Sequence, residues 1–376
     1  MATTETPPDR GESRVASVAV AGIRNLADAE LELESSLTLI HGPNGAGKSS
    51  LLEAVCLALT ARSPRTSRQR EVIAFGADLA RAEATVRSSG ERHRFLWSVD
   101  RRAERRHLLD GKPAGDRARE ARPPLAVFEP DRLELVKGGP GPRRARIDRL
   151  AAALWPARAG ARDRYRAALA HRNALLARAG GLTPPGLDAW DRELAEAGVE
   201  LIANRAEVVE LLAGGFATAA AELGLGEPAT LRYRPRSEST IAAELAAELA
   251  ERRDSDLARG FTGHGPHLDD VEIAVAGRAA RRYASQGEQR AALLALLFAE
   301  REAILEARGT PPLMILDDVM SELDPERRLR LASRLRGGQA LVTATEPAHL
   351  PDEVPRAEVA IRAGRAVPRA IHEAAA

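Results

Sequence analysis

The sequence predicts an α/β fold, a mixed sheet with an antiparallel flap, interrupted by a compact helical insert lobe. Three observations carry this. An apolar run from Leu37 to His41 leads into Gly42-Pro43-Asn44-Gly45-Ala46-Gly47-Lys48-Ser49, and a helical pattern follows from Ser49 to Ala61. A second apolar run, Leu313-Met314-Ile315-Leu316, ends in the paired carboxylates Asp317 and Asp318. Between them, over 148–259, alanine, leucine, glutamate and arginine dominate without a sustained heptad, so the segment reads as packed helices and not as a long coiled coil.

In chain order, residues 1–14 are polar, carry Pro7 and Pro8 and lack an apolar signal core, so they read as a flexible tail. Val15 to Ala21 alternates and reads as a first strand. The helix after the glycine loop sets Leu51, Leu52, Val55, Cys56 and Leu59 on one broad apolar face, which makes Cys56 a small core residue. Short alternating runs from Ala84 to Leu109, closed by the turn dipeptide Asp110-Gly111, form the antiparallel flap. Leu125 to Phe128 is a further short strand. Helical patterns cover 148–179, 187–224 and 238–259, broken at Gly180 to Gly186. Strand character returns at Val271 to Val275 and at Ala280 to Ala284. A helix runs from Gln286 to Ala307, strands occupy Leu313 to Leu316 and Gln339 to Thr345, and a hairpin around Ala363-Gly364 closes the chain. The expected organisation is a tail (1–14), one lobe split between 15–147 and 260–376, and a helical lobe over 148–259.

The glycine loop has a specific chemistry. Its glycines let backbone N–H groups converge on phosphate oxygens, and the helix that follows adds partial positive charge. Lys48 reaches the β- and γ-phosphates, the Ser49 hydroxyl ligates Mg²⁺, and Gly42 to Ser50 form the expected nucleotide-binding stretch. An apolar strand ending in Asp317-Asp318 is a Walker B pattern. Asp317 holds the metal, directly or through water, and Asp318 orients or deprotonates the attacking water. Ser321-Glu322-Leu323-Asp324 follows as a D-loop. Ser285-Gln286-Gly287-Glu288-Gln289 opens a long helix. Alone it reads as an ordinary N-cap with Glu288 closing a capping box. In the order P-loop, insert, serine motif, Walker B, D-loop it is the signature of an ABC-type P-loop ATPase head. Ser285, Gln286 and Gly287 of one subunit then complete the site of another, and a dimer is implied.

Composition bounds the rest. A net charge of +1 gives no whole-molecule attraction to a polyanion, so any nucleic-acid surface is local. One cysteine excludes a disulfide framework and points to a reducing cytosol. No stretch is apolar enough for a membrane span. Only Lys48, Lys112 and Lys137 are lysine, as arginine-favouring codon usage would leave, and Lys48 stands where a compact ammonium is needed. Arg143 and Arg144 read either as contacts to DNA phosphates or as a solvated basic turn. His264 and His267 flank Gly265-Pro266 as a structural loop, and Trp97, Trp155 and Trp190 read as core or interface residues.

Beyond the nucleotide motifs, the chain resembles the RecF family of bacterial recombination mediators, akin to Rad50 and SMC heads, from about residue 15 to 347. The resemblance rests on Gly22-Ile23-Arg24-Asn25-Leu26, Arg62-Ser63-Pro64-Arg65-Thr66, Val127-Phe128-Glu129-Pro130-Asp131-Arg132-Leu133, Val136-Lys137-Gly138 and His171-Arg172-Asn173-Ala174-Leu175-Leu176. Its most diagnostic stretches are Gly265-Pro266-His267-Leu268-Asp269-Asp270 and Ser285-Gln286-Gly287-Glu288-Gln289-Arg290. Leu268 departs from the family's usual arginine. Glu129 stands where ABC heads tend to carry a glutamine, and Thr345 lies near the switch histidine of ABC transporters; both suggest slow hydrolysis. The resemblance implies an ATP- and Mg²⁺-dependent homodimer on gapped or ss/ds-junction DNA. It also implies cytoplasmic work with RecR and RecO to load recombinase in repair, replication restart and SOS induction. Rival readings are a transporter ATPase subunit, an SMC- or Rad50-type tether, and a RecF-like ATPase of another system such as anti-phage defence. The insert is too short for a tether's arm.

Overall fold

The computed structural model describes residues 13–33, 36–88, 90–128, 133–179 and 182–372. The chain divides into two compact units, Met1–Pro130 with Ile304–Ala376, and Asp131–Ala303. The expected tail (1–14) lies outside the described residues as far as residue 12, and the first strand already holds Arg14.

The first unit begins with β1 (Arg14–Ala21), β2 (Ala29–Glu32) and β3 (Leu37–His41), then α1 (Lys48–Thr60). It continues with β4 (Leu79–Ser88), β5 (Glu91–Asp100), β6 (Arg105–Leu109), β7 (Lys112–Pro113), α2 (Asp116–Ala121) and β8 (Leu125–Phe128). The second unit holds α3 (Glu134–Lys137), α4 (Pro140–Leu154), α5 (Ala161–Arg178), α6 (Leu187–Glu222), β9 (Ala229–Arg234), α7 (Ala242–Glu251) and α8 (Arg253–Arg259). It goes on with β10 (Asp270–Val275), β11 (Arg278–Ala279), α9 (Ala280–Tyr283) and most of α10 (Gln286–Arg308). The chain returns to the first unit with β12 (Leu313–Leu316), α11 (Pro325–Arg334), β13 (Ala340–Ala344), β14 (Arg356–Arg362) and β15 (Arg365–His372).

Two six-stranded sheets build the first unit. One is antiparallel throughout, in the order β2-β1-β4-β5-β6-β7, and is the flap that the alternating runs predict. Ala80, Ala82, Ala84 and Val86 of β4 face inward with Phe95, Trp97 and Val99 of β5. The other has the order β15-β14-β3-β13-β12-β8, and only β15 runs antiparallel. Every residue of β3, β12 and β13 is buried, as expected of parallel strands covered on both faces. β13 lies between β3 and β12, so the glycine loop and Asp317-Asp318 emerge from the same edge, at the carboxyl ends of parallel strands, where ligands of α/β sheets bind. Helix α1 shares one core with both sheets through Leu51, Leu52, Val55, Leu57 and Leu59.

The second unit combines the helices with a three-stranded sheet, β11-β10-β9. Its limits lie outside the expected 148–259, because β9 pairs with β10 in register from Ala229↔Val275 to Arg234↔Asp270 and so draws residues 270–275 into this unit. Three readings change in detail. The 148–179 pattern is two helices parted at Trp155–Gly160, and 238–259 is two helices meeting at Arg252. Ala280 to Ala284, read as a strand, is one helical turn. Only Arg278 and Ala279 return along β10, around the turn Ala276-Gly277 with φ of 51° and 72°. The chain then bends, burying Ala280 and leaving Arg281 and Arg282 in solvent.

Candidate functional site

Helix α1 opens directly from the loop. Gly47, its N-cap, has φ 115°, and a Cβ there would stand 2.8 Å from Leu26 Cδ2. Gly42 has φ 151°, and a Cβ would meet the Ile361 carbonyl oxygen at 2.1 Å. These two positions need glycine, for conformation and for room. Gly45, φ 77°, has open space where its Cβ would be, so the crown of the loop is free to meet a ligand. The Lys48 ammonium is almost fully buried and donates to the carbonyl oxygens of Gly42 (2.8 Å) and Pro43 (3.2 Å). Burial lowers its pKa, against the pull of Asp318 and then Asp317.

One pocket gathers Asn44, Gly45, Gly47, Lys48, Ser49, Ser50, Asp317 and Asp318, so the two motifs found 268 or more residues apart form one site. Thr343 of β13 sets the carboxylates. Its hydroxyl donates to Asp317 Oδ1 at 2.7 Å and accepts from the Asp318 backbone N–H at 2.7 Å. Asp318 has φ 49°, a conformation that aspartate adopts at some cost, and its buried Oδ1 has no hydrogen-bond partner among the described residues. An orphaned buried carboxylate oxygen facing a phosphate-type loop fits a bound water or metal-bound water. Ser49 and Asp317 supply the donor types Mg²⁺ takes from a protein when phosphates supply the rest. These residues therefore fit ATP with Mg²⁺.

Ser285, Gln286 and Gly287 lie in the second unit, exposed at the start of α10. The capping box is present. The Ser285 N–H donates to Glu288 Oε2 at 2.7 Å, and the Glu288 N–H to Ser285 Oγ at 3.3 Å. Gln289 holds the preceding turn through the Ala280 and Ala284 carbonyls. Asp324 caps α11 by accepting from the Arg327 N–H at 2.9 Å. Glu129 lies outside the described residues, as do Pro130, Asp131 and Arg132.

Arg143 is corrected, being neither a solvated basic turn nor a free phosphate contact, while Arg144 is half-buried. Arg143 is buried and bonds both carboxylate oxygens of Asp270, at 2.8 and 3.0 Å. Arg144 donates to the Asp269 carbonyl at 2.6 Å. His264 meets Glu248, and His267 meets Tyr165 and the Thr262 carbonyl, which makes the loop structural. Trp97 is core, its indole N–H donating to Gln69, while Trp190 stacks on His171.

Sequence reasoning quoted Asn25 and Arg65 without giving them a role; both line the pocket. The Asn25 amide donates to the Gly45 carbonyl and its oxygen accepts from Ser50 Oγ. Arg65 reaches Glu53 at 3.4 Å, a fully buried carboxylate on α1 that also accepts two bonds from Arg24 and one from Ser63. Thr343 carried no signal, since threonine inside an apolar strand looks like any β-former.

Fold and site together define an ATPase head of the ABC/SMC class. The model of the RecF/RecN/SMC N terminal domain matches residues 14–353. The DNA replication and repair protein RecF of Anaeromyxobacter sp. (strain Fw109-5) is 41% identical over 357 residues, 90% of this chain and 95% of that one. RecF of Myxococcus xanthus (strain DK1622) is 36% identical over 346 residues, 89% and 91% of the two chains. Among solved structures, the recombination mediator protein RecF with ATP superposes with TM-score 0.85 at 26% identity, covering 97% of this chain and all of that one. An Smc head domain from Pyrococcus yayanosii shares the fold, with TM-score 0.59 at 15% identity over 96% and 98%. The chain belongs to the RecF family.

Proposed function

We propose that this chain is an ATP-gated, DNA-binding dimeric clamp of recombinational repair. The observation that carries the reading is the single pocket shared by Lys48, Ser49, Asp317 and Asp318. Lys48 and the loop N–H groups hold the phosphates, Ser49 and Asp317 hold Mg²⁺, and Mg²⁺ when bound neutralises charge on the β- and γ-oxygens. Asp318 orients water and accepts its proton, and hydrolysis is slow because Glu129 and Thr345 stand where ABC ATPases carry a glutamine and a histidine. Ser285, Gln286 and Gly287, exposed at a helix start, reach the nucleotide of a second copy, so ATP drives dimerisation.

The relatives point to the pathway. They are described as DNA replication and repair proteins, and the solved ATP-bound structure as a recombination mediator of the RecFOR pathway. On that basis the dimer engages gapped, single-stranded or ss/ds-junction DNA in the cytoplasm. With RecR and RecO it helps load recombinase in gap repair, replication restart and SOS induction. Among the described residues no helix is long and apolar enough to cross a membrane.

The test is DNA affinity of the full chain, measured by anisotropy with gapped duplex, in Mg²⁺ with ATP and without nucleotide. Tighter binding with ATP supports the clamp. Equal affinity in both states, or none, overturns it.

A further inference from the structure

Phe75 is the most exposed large hydrophobic side chain among the described residues. Its relative exposure is 108%, against 77% for the next, Leu182. Of the six phenylalanines, Phe95, Phe128, Phe216 and Phe298 are buried and Phe261 is half-exposed. A partly exposed leucine is ordinary on a protein surface. A phenyl ring that nothing covers is different, because folding gains nothing from it.

The turn that presents this ring is pinned on both sides. Ala74 to Ala77 form a four-residue turn, closed by the Ala77 N–H donating to the Ala74 carbonyl at 3.1 Å, with Gly76 at φ 84°. On one side it is tied to the segment after β1. Ile73 pairs with Ile23, the Ala74 N–H donates to the Gly22 carbonyl at 2.9 Å, and the Arg24 N–H donates to the Val72 carbonyl at 2.8 Å. Ile23 and Val72 are fully buried and anchor this side in the core. On the other side lies the β5–β6 turn. Arg101 donates through Nε to the Ala77 carbonyl at 2.9 Å, and its backbone N–H donates to the Asp78 carbonyl at 3.2 Å. A ring held on a fixed backbone gives up little entropy when it meets a partner.

The neighbourhood indicates what that partner is. The β5–β6 turn carries Arg101 and Arg102, and Arg70 joins them by donating to the Arg102 carbonyl at 3.1 Å; all three are exposed. Arg101 also pairs with Asp78 at 3.3 Å, so the reading rests on the ring and not on unpaired charge. A guanidinium bonded along its edge still presents its planar face, and an exposed ion pair gives way at small cost. Protein–protein interfaces have an apolar core depleted of charge. Here one aromatic ring rises among arginines, the composition of surfaces that hold single-stranded nucleic acid, with rings for the bases and cations for the backbone.

We infer that Phe75 stacks on an unpaired base where duplex DNA meets single strand. The inference rests on the DNA-binding reading above and names the contact that separates gapped from continuous DNA. Inside a continuous duplex both faces of each base are covered by neighbours; at a gap one face is open. Every base has such a face, so the contact is tolerant of sequence.

The test measures affinity of the full chain for gapped and for continuous duplex of one length, in ATP and Mg²⁺, for wild type, Phe75→Ala and Phe75→Trp. ATP affinity is measured separately. The ring packs against no core, so both variants should fold. Phe75→Ala should bind gapped DNA about ten-fold more weakly, with affinity for continuous duplex and for ATP unchanged. A phenyl ring neutralises no phosphate, so the salt slope should also stay as it is. Phe75→Trp offers a larger ring and should bind gapped DNA at least as tightly as the wild type. Wild-type affinity of Phe75→Ala for gapped DNA overturns the stacking assignment alone and leaves the ring to a protein surface. An equal loss on both DNAs overturns it too, since the contact would not be with an unpaired base. Binding of neither DNA by the wild type overturns the DNA reading on which it rests.

Discussion

The side-chain amide of Asn25 donates to the carbonyl oxygen of Gly45 at 2.6 Å and ties the segment after β1 to the crown of the phosphate-binding loop. The other face of that clamp is the β14–β15 turn. Gly364 donates to the Ala46 carbonyl at 3.0 Å and accepts from the Ala27 N–H at 2.9 Å. A Cβ on Gly364 would come within 2.1 Å of the Asn25 carbonyl oxygen. The loop is thus held in shape before any nucleotide arrives.

Asn25→Ala removes the Gly45 bond and the acceptor of the Ser50 hydroxyl. Each such bond is worth about 1 kcal/mol, so ATP affinity should fall about five- to thirty-fold with little change in melting temperature. Isothermal titration with an ATP analogue checks it, and unchanged affinity would mean the loop needs no clamp.

Lys48→Met keeps the bulk and removes the ammonium. Charge-assisted bonds to phosphate are worth about 1.5–3 kcal/mol each, so ATP affinity should fall at least 100-fold. Burial already disfavours the ammonium without nucleotide, so the apo variant should remain folded. Equilibrium binding decides the first point and circular dichroism the second; wild-type affinity would remove Lys48 from the site.

Asp318→Asn should leave ATP affinity intact while single-turnover hydrolysis slows by about 10²–10⁴. The amide still fills the strained position but cannot accept a proton from water. A wild-type rate would move the base to another group.

The phosphate loop was legible because backbone geometry dictates its residues: Gly42 and Gly47 occupy positions where a side chain collides. The parallel strands were legible because burial on both faces leaves uninterrupted apolar runs. The arginines were not. Arg143 pairs with Asp270, 127 residues away, and Arg172 and Arg205 are buried among Asp191, Asp256, Asp148 and Asp269. In sequence these look like the exposed arginines of β4 and β5, since only the fold brings each to its carboxylate. The strand expected at Ala280 to Ala284 failed for a local reason, because alternation over five residues does not separate a strand from a helical turn.

A pH dependence follows from Glu248. Burial alone would raise its pKa, but hydrogen bonds from Ser239, His264 and Ser237 outweigh that and hold it below the usual 4.5. A depressed carboxylate contributes stability that is present above its unfolded pKa and lost as pH falls through the folded value. Glu248→Gln should therefore cost about 1 kcal/mol at pH 7, a few degrees in melting temperature, and progressively less below about pH 4.5. Melting curves of both proteins across pH 3 to 7 test this; a gap that widens in acid would reverse the sign.

Ser285→Arg separates nucleotide binding from assembly. Ser285 is exposed at the start of α10, and its hydroxyl accepts from the Glu288 N–H in the capping box. Losing a helix cap costs about 1 kcal/mol, which a domain of this size tolerates. The arginine itself faces solvent, so the monomer should fold and bind ATP through Lys48 with wild-type affinity. In the proposed dimer the same side chain would meet a second copy's loop, where serine leaves room for the phosphates and the long arginine side chain does not. Sedimentation velocity with Mg²⁺ and a slowly hydrolysed ATP analogue should then show dimers for the wild type and monomers for the variant. Ser285→Thr keeps both the cap and the hydroxyl, and its dimers should survive. Dimers formed by Ser285→Arg in ATP would show that assembly does not run through this helix start, and the composite site would have to be sought on another surface of the chain.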